Sequence, residues 1–199
     1  MSTPAERAPD PRTPSGSPSV PSTPSGSASG KRIAFTALLA AVALIFSYVE
    51  VLIPLPVGIP GVKLGIANLV VLIALYECGM KPALAVNLIR ILVAGLLFTG
   101  LFGAVYSLAG AALSLLVMAL LKRTGLFSVV GVSMAGGVAH NIGQLLVAAA
   151  LISDLRIFLY LPVLMFSGLV SGILIGFLCW YVLRALAPAF RHINTDIKA

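Results

Sequence analysis

The sequence predicts an all-α polytopic membrane protein: a bundle of six transmembrane helices behind a disordered amino-terminal tail. Three observations lead there. The 199 residues are 59% apolar and only 10% charged, where soluble domains carry about 25% charged residues; the mean hydropathy is +1.08. The apolar residues are gathered into long runs separated by Gly, Pro and Lys/Arg. The basic residues fall on alternate loops, as in a multi-pass chain. Two cysteines exclude a disulfide framework, and six scattered acids exclude an acid-rich metal or catalytic cluster.

Met1 to Gly30 holds seven of the thirteen prolines, with two copies of Thr-Pro-Ser-Gly-Ser beginning at Thr13 and Thr23. No aliphatic cluster there offsets the entropy of ordering the chain, so residues 1–30 read as a disordered cytoplasmic tail. It serves as a tether, or as a docking or modification segment through its Ser and Thr residues. It lacks the charged start and early apolar stretch of a secretory signal, and no cleavage is expected.

The membrane domain spans residues 31–186. An apolar helix needs roughly 20 residues to cross the hydrocarbon core. Ile33 to Ile53 has that length and stops at Pro54-Leu-Pro56, and a Gly/Pro loop runs from Pro54 to Lys63. The second helix, about Leu64 to Cys78, is short and ends at Gly79. Pro82 opens the third, since a proline at the first helical position forfeits no hydrogen bond. That helix reaches Phe98, and Thr99-Gly100 turns the chain back. Leu101 to Leu121 forms the fourth, closed by Lys122-Arg123; Leu126 to Ile152 forms the fifth, unusually polar, closed by Ser153-Asp154. Ile157 to Leu183 forms the sixth, and residues 187–199 make a polar cytoplasmic tail.

With six spans, ten Lys and Arg residues collect on the side of the two tails, and only Lys63 and Arg156 lie opposite. This positive-inside bias puts both termini in the cytoplasm. Most of the net charge of +7 is therefore topology signal and attraction to lipid headgroups. No compact basic patch interleaved with aromatics suggests nucleic-acid binding. Cys78 and Cys179 fall at the inner ends of the second and sixth helices, as apolar fillers.

Lipid offers helices no hydrophobic reason to associate, so close packing needs small residues at four-residue spacing. Gly168, Gly172 and Gly176 supply it in the sixth helix, and Gly131, Ala135, Ala139 and Gly143 in the fifth. In the first helix Ala34, Ala37, Ala40 and Ala41 make a smooth flank that suits internal packing or a partner protein.

Polar side chains within spans are costly and mark either function or an interhelical bond. Here they are Asn68, Asn87, Arg90, His140, Asn141 and Gln144, joined by Tyr106 and Ser107. At about 1.5 Å per residue, Arg90 and His140 lie near mid-membrane and most of the others in the outer half. His140 and Gln144 share a face with Gly136, and Asn87 shares one with Arg90. No acid lies within a span to pair with Arg90, since Glu50 and Glu77 sit near opposite membrane faces. A buried guanidinium seeks carbonyls, water or an anion. With Lys63 and Arg156 outside, the expected pocket is net positive and its solute anionic or amphiphilic.

The absences also bear on function. There is no G-x-x-x-x-G-K-[ST] loop, no H-E-x-x-H and no G-x-S-x-G. No two carboxylates stand close enough in sequence to suggest a magnesium site. The chain is too short for the paired repeats of most secondary transporters. A binder that borrows energy from a partner fits better.

Three stretches carry a family resemblance: Pro60-Gly-Val-Lys-Leu-Gly-Ile-Ala-Asn68, Tyr106-Ser-Leu-Ala-Gly110, and Gly131-Val-Ser-Met-Ala-Gly-Gly-Val-Ala-His-Asn-Ile-Gly-Gln144. They resemble the bacterial Gx transporter family, also labelled heptaprenyl diphosphate synthase component I. That family is similar to the substrate-binding (S) components of energy-coupling factor (ECF) transporters. The resemblance covers about Lys31 to Leu183 and is most specific in the histidine-asparagine segment. It implies a six-helix S component that captures a solute from outside and docks on a transmembrane coupling subunit carrying ATPase subunits. This chain would hold no cofactor, ATP being used by its partners. The A-x-x-x-A docking face of S components is matched by Ala37 and Ala41, and the lid by Pro54 to Lys63. Substrate contacts would come from Arg90, His140, Asn141, Gln144, Asn68, Asn87, Tyr106 and Lys63. The synthase label implies an enzyme, which the sequence argues against: prenyl synthases use aspartate-rich motifs, and the aspartates here are Asp10, Asp154 and Asp196. The alternative is a membrane-anchoring or regulatory component of a polyprenyl diphosphate synthase.

Overall fold

A computed structural model describes residues 28–52 and 65–188. The amino-terminal tail up to residue 27, the loop carrying Lys63 and the last eleven residues lie outside the described residues. All regular structure described is helical: α1 (Ala28–Leu52), α2 (Ile66–Glu77), α3 (Met80–Ala94), α4 (Gly100–Thr124), α5 (Val129–Ile152) and α6 (Leu161–Ala185). A π-helical turn, Gly95–Thr99, joins α3 to α4, and a 3₁₀ segment, Leu155–Tyr160, precedes α6.

Four helical stretches among the described residues are long and apolar enough to cross a membrane: Gly30–Leu52, Met80–Thr124, Val129–Ile152 and Leu155–Ala185. The second is folded back on itself. Gly100 adopts φ +69° after the π turn, and a Cβ on Gly95 would stand 2.7 Å from the Cβ of Ala104, so the two halves of this stretch pass each other closely. The long helices show the surface expected against hydrocarbon, with large apolar side chains exposed along one face: Leu84, Leu88 and Leu92 on α3, Phe166, Leu174 and Phe177 on α6.

Several boundaries differ from the sequence expectation, each for a local reason. The first helix begins at Ala28, three residues before Lys31. The third begins at Met80, with Pro82 still in the first turn, where backbone N–H groups have no intrahelical partner. The fifth begins at Val129, not Leu126, because the Ser128 hydroxyl caps it by accepting from Gly131 N at 3.2 Å. The sixth begins at Leu161 with Pro162 in its opening turn, and Asp154 caps the 3₁₀ segment by accepting from Arg156 N at 2.9 Å.

Helix α2 is the axis of the fold. Its residues Leu69 to Leu75 are all buried, as expected of a helix that is apolar all round. It packs on α1, α3 and α6, and its side chains join Ala40 and Ala43 of α1, Leu115 and Met118 of α4, and Val132 of α5 in one core. At 12 residues, or about 18 Å, it is too short to cross a bilayer alone. Its ends therefore stop inside the bundle, where orphaned backbone groups need partners. A charged side chain from another helix meets each end. The Glu50 carboxylate of α1 accepts from Ile66 N at the amino terminus. Lys122 of α4 donates to the carbonyls of Leu75 at 2.6 Å and Tyr76 at 3.3 Å, with its Nζ 4.7 Å from the Tyr76 ring centroid. Acid at the amino end and base at the carboxyl end both complement the helix dipole.

Lys122 is thus more than a topology signal. Replacing it with Met should lower the stability of the detergent-solubilised protein by about 1–3 kcal/mol, the usual cost of losing a charged hydrogen-bond partner from buried groups. Thermal unfolding of K122M beside R123M, whose charge lies one residue further on, checks the assignment. Equal behaviour of the two variants would remove it.

Candidate functional site

The space above the amino end of α2 is a cavity of about 120 Å³. Its wall is built where α1 and α3 end and α2 and α4 begin, closed by the middle turns of α5 and α6. Helix α3 directs Arg90 into it through a regular inward series, Ala83, Val86, Asn87, Arg90, Ile91 and Ala94, all buried. These recur at three- and four-residue spacing, the period of one helix face. Arg90 is only 9% exposed. Its Nη2 donates to Asn87 Oδ1 at 2.8 Å, one turn back on the same helix, and its Nη1 reaches Ser47 Oγ at 3.5 Å. Both partners are neutral, and among the described residues the buried Nε finds no acceptor.

Helices α4, α5 and α6 are brought together by glycine. A Cβ on Gly137 would lie 2.3 Å from the carbonyl oxygen of Gly168, and one on Gly172 2.7 Å from the Met134 Cα. On the other side, a Cβ on Gly143 would lie 2.7 Å from the carbonyl of Ala109, and one on Gly110 2.7 Å from Gln144 Cγ. Neighbours that close are backbone atoms or crowded side chains, so no larger residue fits without moving a helix. The small-residue series of α5 and α6 are therefore packing devices, with Gly137 rather than Ala135 at the tightest crossing. This packing sets His140 and Gln144 of α5 and Ser171 of α6 on the cavity wall.

Residues 39–182 match the family described as heptaprenyl diphosphate synthase component I. The chain belongs to that family. No curated protein and no solved structure matches it.

The family match covers every described residue of the cavity wall. Of the residues expected at a site, Arg90, His140, Asn141, Gln144 and Asn68 line this one cavity. Asn87 stands behind Arg90 as its acceptor. Asn141 Nδ2 donates to the Leu164 carbonyl at 2.7 Å, so part of its amide already serves as a tie between α5 and α6. Tyr106 is elsewhere. It lines a separate crevice of about 700 Å³ with Leu145, Ile152, Asp154, Arg156 and Tyr160. One residue along a helix turns the side chain by about 100°, so Ser107 faces the cavity and Tyr106 does not. Lys63 lies outside the described residues. Gly136 does not face this cavity either: a Cβ there would meet Met118, and Gly137 takes its place on the wall.

Sequence reasoning missed Glu50, Ser47, Thr99 and Ser171, all on the cavity wall. Glu50 corrects the expectation that no acid approaches Arg90: its carboxylate shares the cavity and acts electrostatically on the guanidinium. Arg156 belongs to the other crevice, and among the described residues the formal charges on this wall are Arg90 and Glu50; the expected positive charge also counted Lys63, which lies outside the described residues. Glu50 lies three residues from Ser47, on the same helix face, and that spacing was the available signal.

On α1, Ala37 and Ala41 are exposed with Ala34, whereas Ala40 turns inward into the core. The flank read from sequence is therefore narrower, an outward row of Ala34, Ala37 and Ala41.

Asn87 is the strongest anchor Arg90 has. Asn87→Ala should destabilise the protein by about 1–3 kcal/mol, because a buried guanidinium loses its acceptor. Asn87→Asp should restore stability by supplying a charged one. Denaturation in detergent that finds both variants equal to the parent would contradict the role given to Asn87.

Proposed function

We propose that this chain is the solute-binding membrane subunit of an energy-coupling-factor-type transporter. It captures a small solute with an anionic group for transport driven by partner ATPases. The observation that carries the reading is the polar cavity at one end of an otherwise apolar bundle, with a buried guanidinium on its wall. Intramembrane ionisable groups facing a cavity mark solute pathways by default. Arg90 holds the anion, while Gln144, Asn68, His140 and the remaining capacity of Asn141 orient it. In this reading the chain passes through the bacterial inner membrane six times, α2 covering only part of the thickness, both termini are cytoplasmic, and the cavity opens outward. The chain is not an enzyme here and needs no cofactor of its own.

The row of Ala34, Ala37 and Ala41 is the docking face for the coupling subunit: small exposed residues at three- and four-residue spacing let a second helix approach closely. A second reading has one observation in its favour, the family's description as a heptaprenyl diphosphate synthase component. In that case the chain anchors or regulates a soluble synthase through its cytoplasmic loops. Isolation of the protein with its partners from native membranes separates the readings: ATPase subunits support transport, and a prenyl synthase supports the anchor.

Two variants test the site and the dock. Arg90→Ala should abolish Arg90-dependent retention of small molecules, a loss of about tenfold or more for a removed charge partner, with membrane insertion unchanged. Retention equal to the parent's removes Arg90 from the site. Ala37→Leu or Ala41→Leu should prevent copurification with the coupling and ATPase subunits while leaving solute retention intact; undisturbed assembly in both would move the dock elsewhere.

A further inference from the structure

We propose that a water molecule is bound at the centre of the bundle, in a second cavity beneath the first, by the hydroxyls of Ser114 and Ser133 together with Asn68 and Ser171. The site is independent of what enters the cavity above. This second cavity measures about 20 Å³. Asn68, Gly137 and Ser171 belong to both walls. One turn along from them, Leu72 of α2, Ser133 of α5 and Ile175 of α6 belong to the lower wall. A turn is about 5.4 Å of helix, so the lower cavity lies that much nearer the end of α2 that Lys122 closes.

Ser114 of α4 and Ser133 of α5 are 3% and 4% exposed. A serine within a helix can satisfy its hydroxyl on a carbonyl of the preceding turn. Ser47 does so on Ala43 at 2.9 Å and Ser171 on Gly168 at 3.2 Å. Ser114 and Ser133 do not, and neither hydroxyl makes a hydrogen bond among the described residues. Both line the lower cavity, on helices that face each other across it. A buried hydroxyl without a partner is costly, and two of them on one small cavity point to a shared ligand within it.

Size and chemistry identify that ligand as water. One water needs roughly 10–15 Å³ of such space and two to four polar partners. The two hydroxyls are joined by the Asn68 amide, which donates and accepts, and by the Ser171 oxygen, which still accepts after its own proton is given to Gly168. No charged residue lines the cavity among the described residues, so a bare cation there would stand uncompensated in low dielectric. Gly136 keeps the space open: a Cβ on it would lie 2.6 Å from Met118 Cγ and 3.3 Å from Ser114 Oγ. The water also acts on the cavity above. Asn68 and Ser171 face both spaces, and a partner on the inner side fixes the direction in which they present their polar atoms on the outer side.

The test is X-ray footprinting of the full chain in lipid nanodiscs. A short pulse makes hydroxyl radicals from water in place, and mass spectrometry reads the side chains they oxidise. Leu72 and Leu115 are the same residue type and each 1% exposed, but Leu72 lines the lower cavity and Leu115 does not. Leu72 should be oxidised faster than Leu115, and should take up heavy oxygen when the pulse is given in heavy-oxygen water. Ser114→Ala combined with Ser133→Ala removes two of the four partners. In that double variant the excess label on Leu72 should be lost, while Ile91, 3% exposed on the wall of the larger cavity, keeps its own. Equal labelling of Leu72 and Leu115 in the parent overturns the water site. Excess label on Leu72 that survives the double variant overturns its assignment to the two hydroxyls. Circular dichroism and thermal unfolding establish that a loss is not misfolding; should the double variant fail to fold, the comparison of Leu72 with Leu115 in the parent decides alone.

Discussion

A twelve-residue helix at the centre of a membrane-type bundle sets most of what surrounds it. Helix α2 is apolar on every side, so it is driven inside, yet it is about 12 Å shorter than the hydrocarbon thickness. Its terminal N–H and C=O groups cannot be left to hydrocarbon, where an unsatisfied backbone group costs several kcal/mol. Glu50 and Lys122 answer that requirement from two other helices. The missing length also has a geometric result: the longer helices continue past the amino end of α2 and enclose a space there. The cavity and the charged side chain at its floor both follow from the shortness of one helix.

The second constraint is how α5 meets its neighbours. Its glycines let the backbone approach α6 through Gly137 and Gly168, and α4 through Gly143 and Gly110. Helices that close cannot interpose bulky side chains, and in lipid such contacts must rest on packing and short polar bonds. Asn141 supplies one by donating to Leu164. His140 and Gln144 flank it on the same helix and turn into the cavity. One glycine-rich segment thus does both jobs: its small residues fix the helix, and its polar residues furnish the wall.

How much of this was legible in the sequence depended on whether the controlling contact was local. Helix positions, the polar set at one depth and the packing glycines follow from hydropathy and spacing, which are properties of single segments. The inward turn of Asn87 and Arg90 follows from their three-residue interval. The start of α5 was legible only in Ser128, whose cap shifts the boundary by three residues. Tyr106 misled because it adjoins Ser107, and neighbours in sequence on a helix face different ways. Glu50 was overlooked because it was judged by membrane depth alone. Its partner, the first N–H of α2, stands sixteen residues away across a loop, and no pattern within one helix reports such a meeting.

The polar interior also weighs against a purely mechanical role. A bundle whose polar groups served only to join helices would turn each toward another helix, as Asn141 does toward α6 and Lys122 toward α2. Arg90 is arranged differently. A guanidinium carries five donors, and among the described residues two hydrogen bonds hold this one, one of them long. A methionine or leucine of similar volume would pack the same space at no desolvation cost, and such replacements of buried charges are often neutral or stabilising. A charge kept there, beside an open volume whose wall also carries Glu50 of another helix, is the observation that the proposed solute-binding role accounts for.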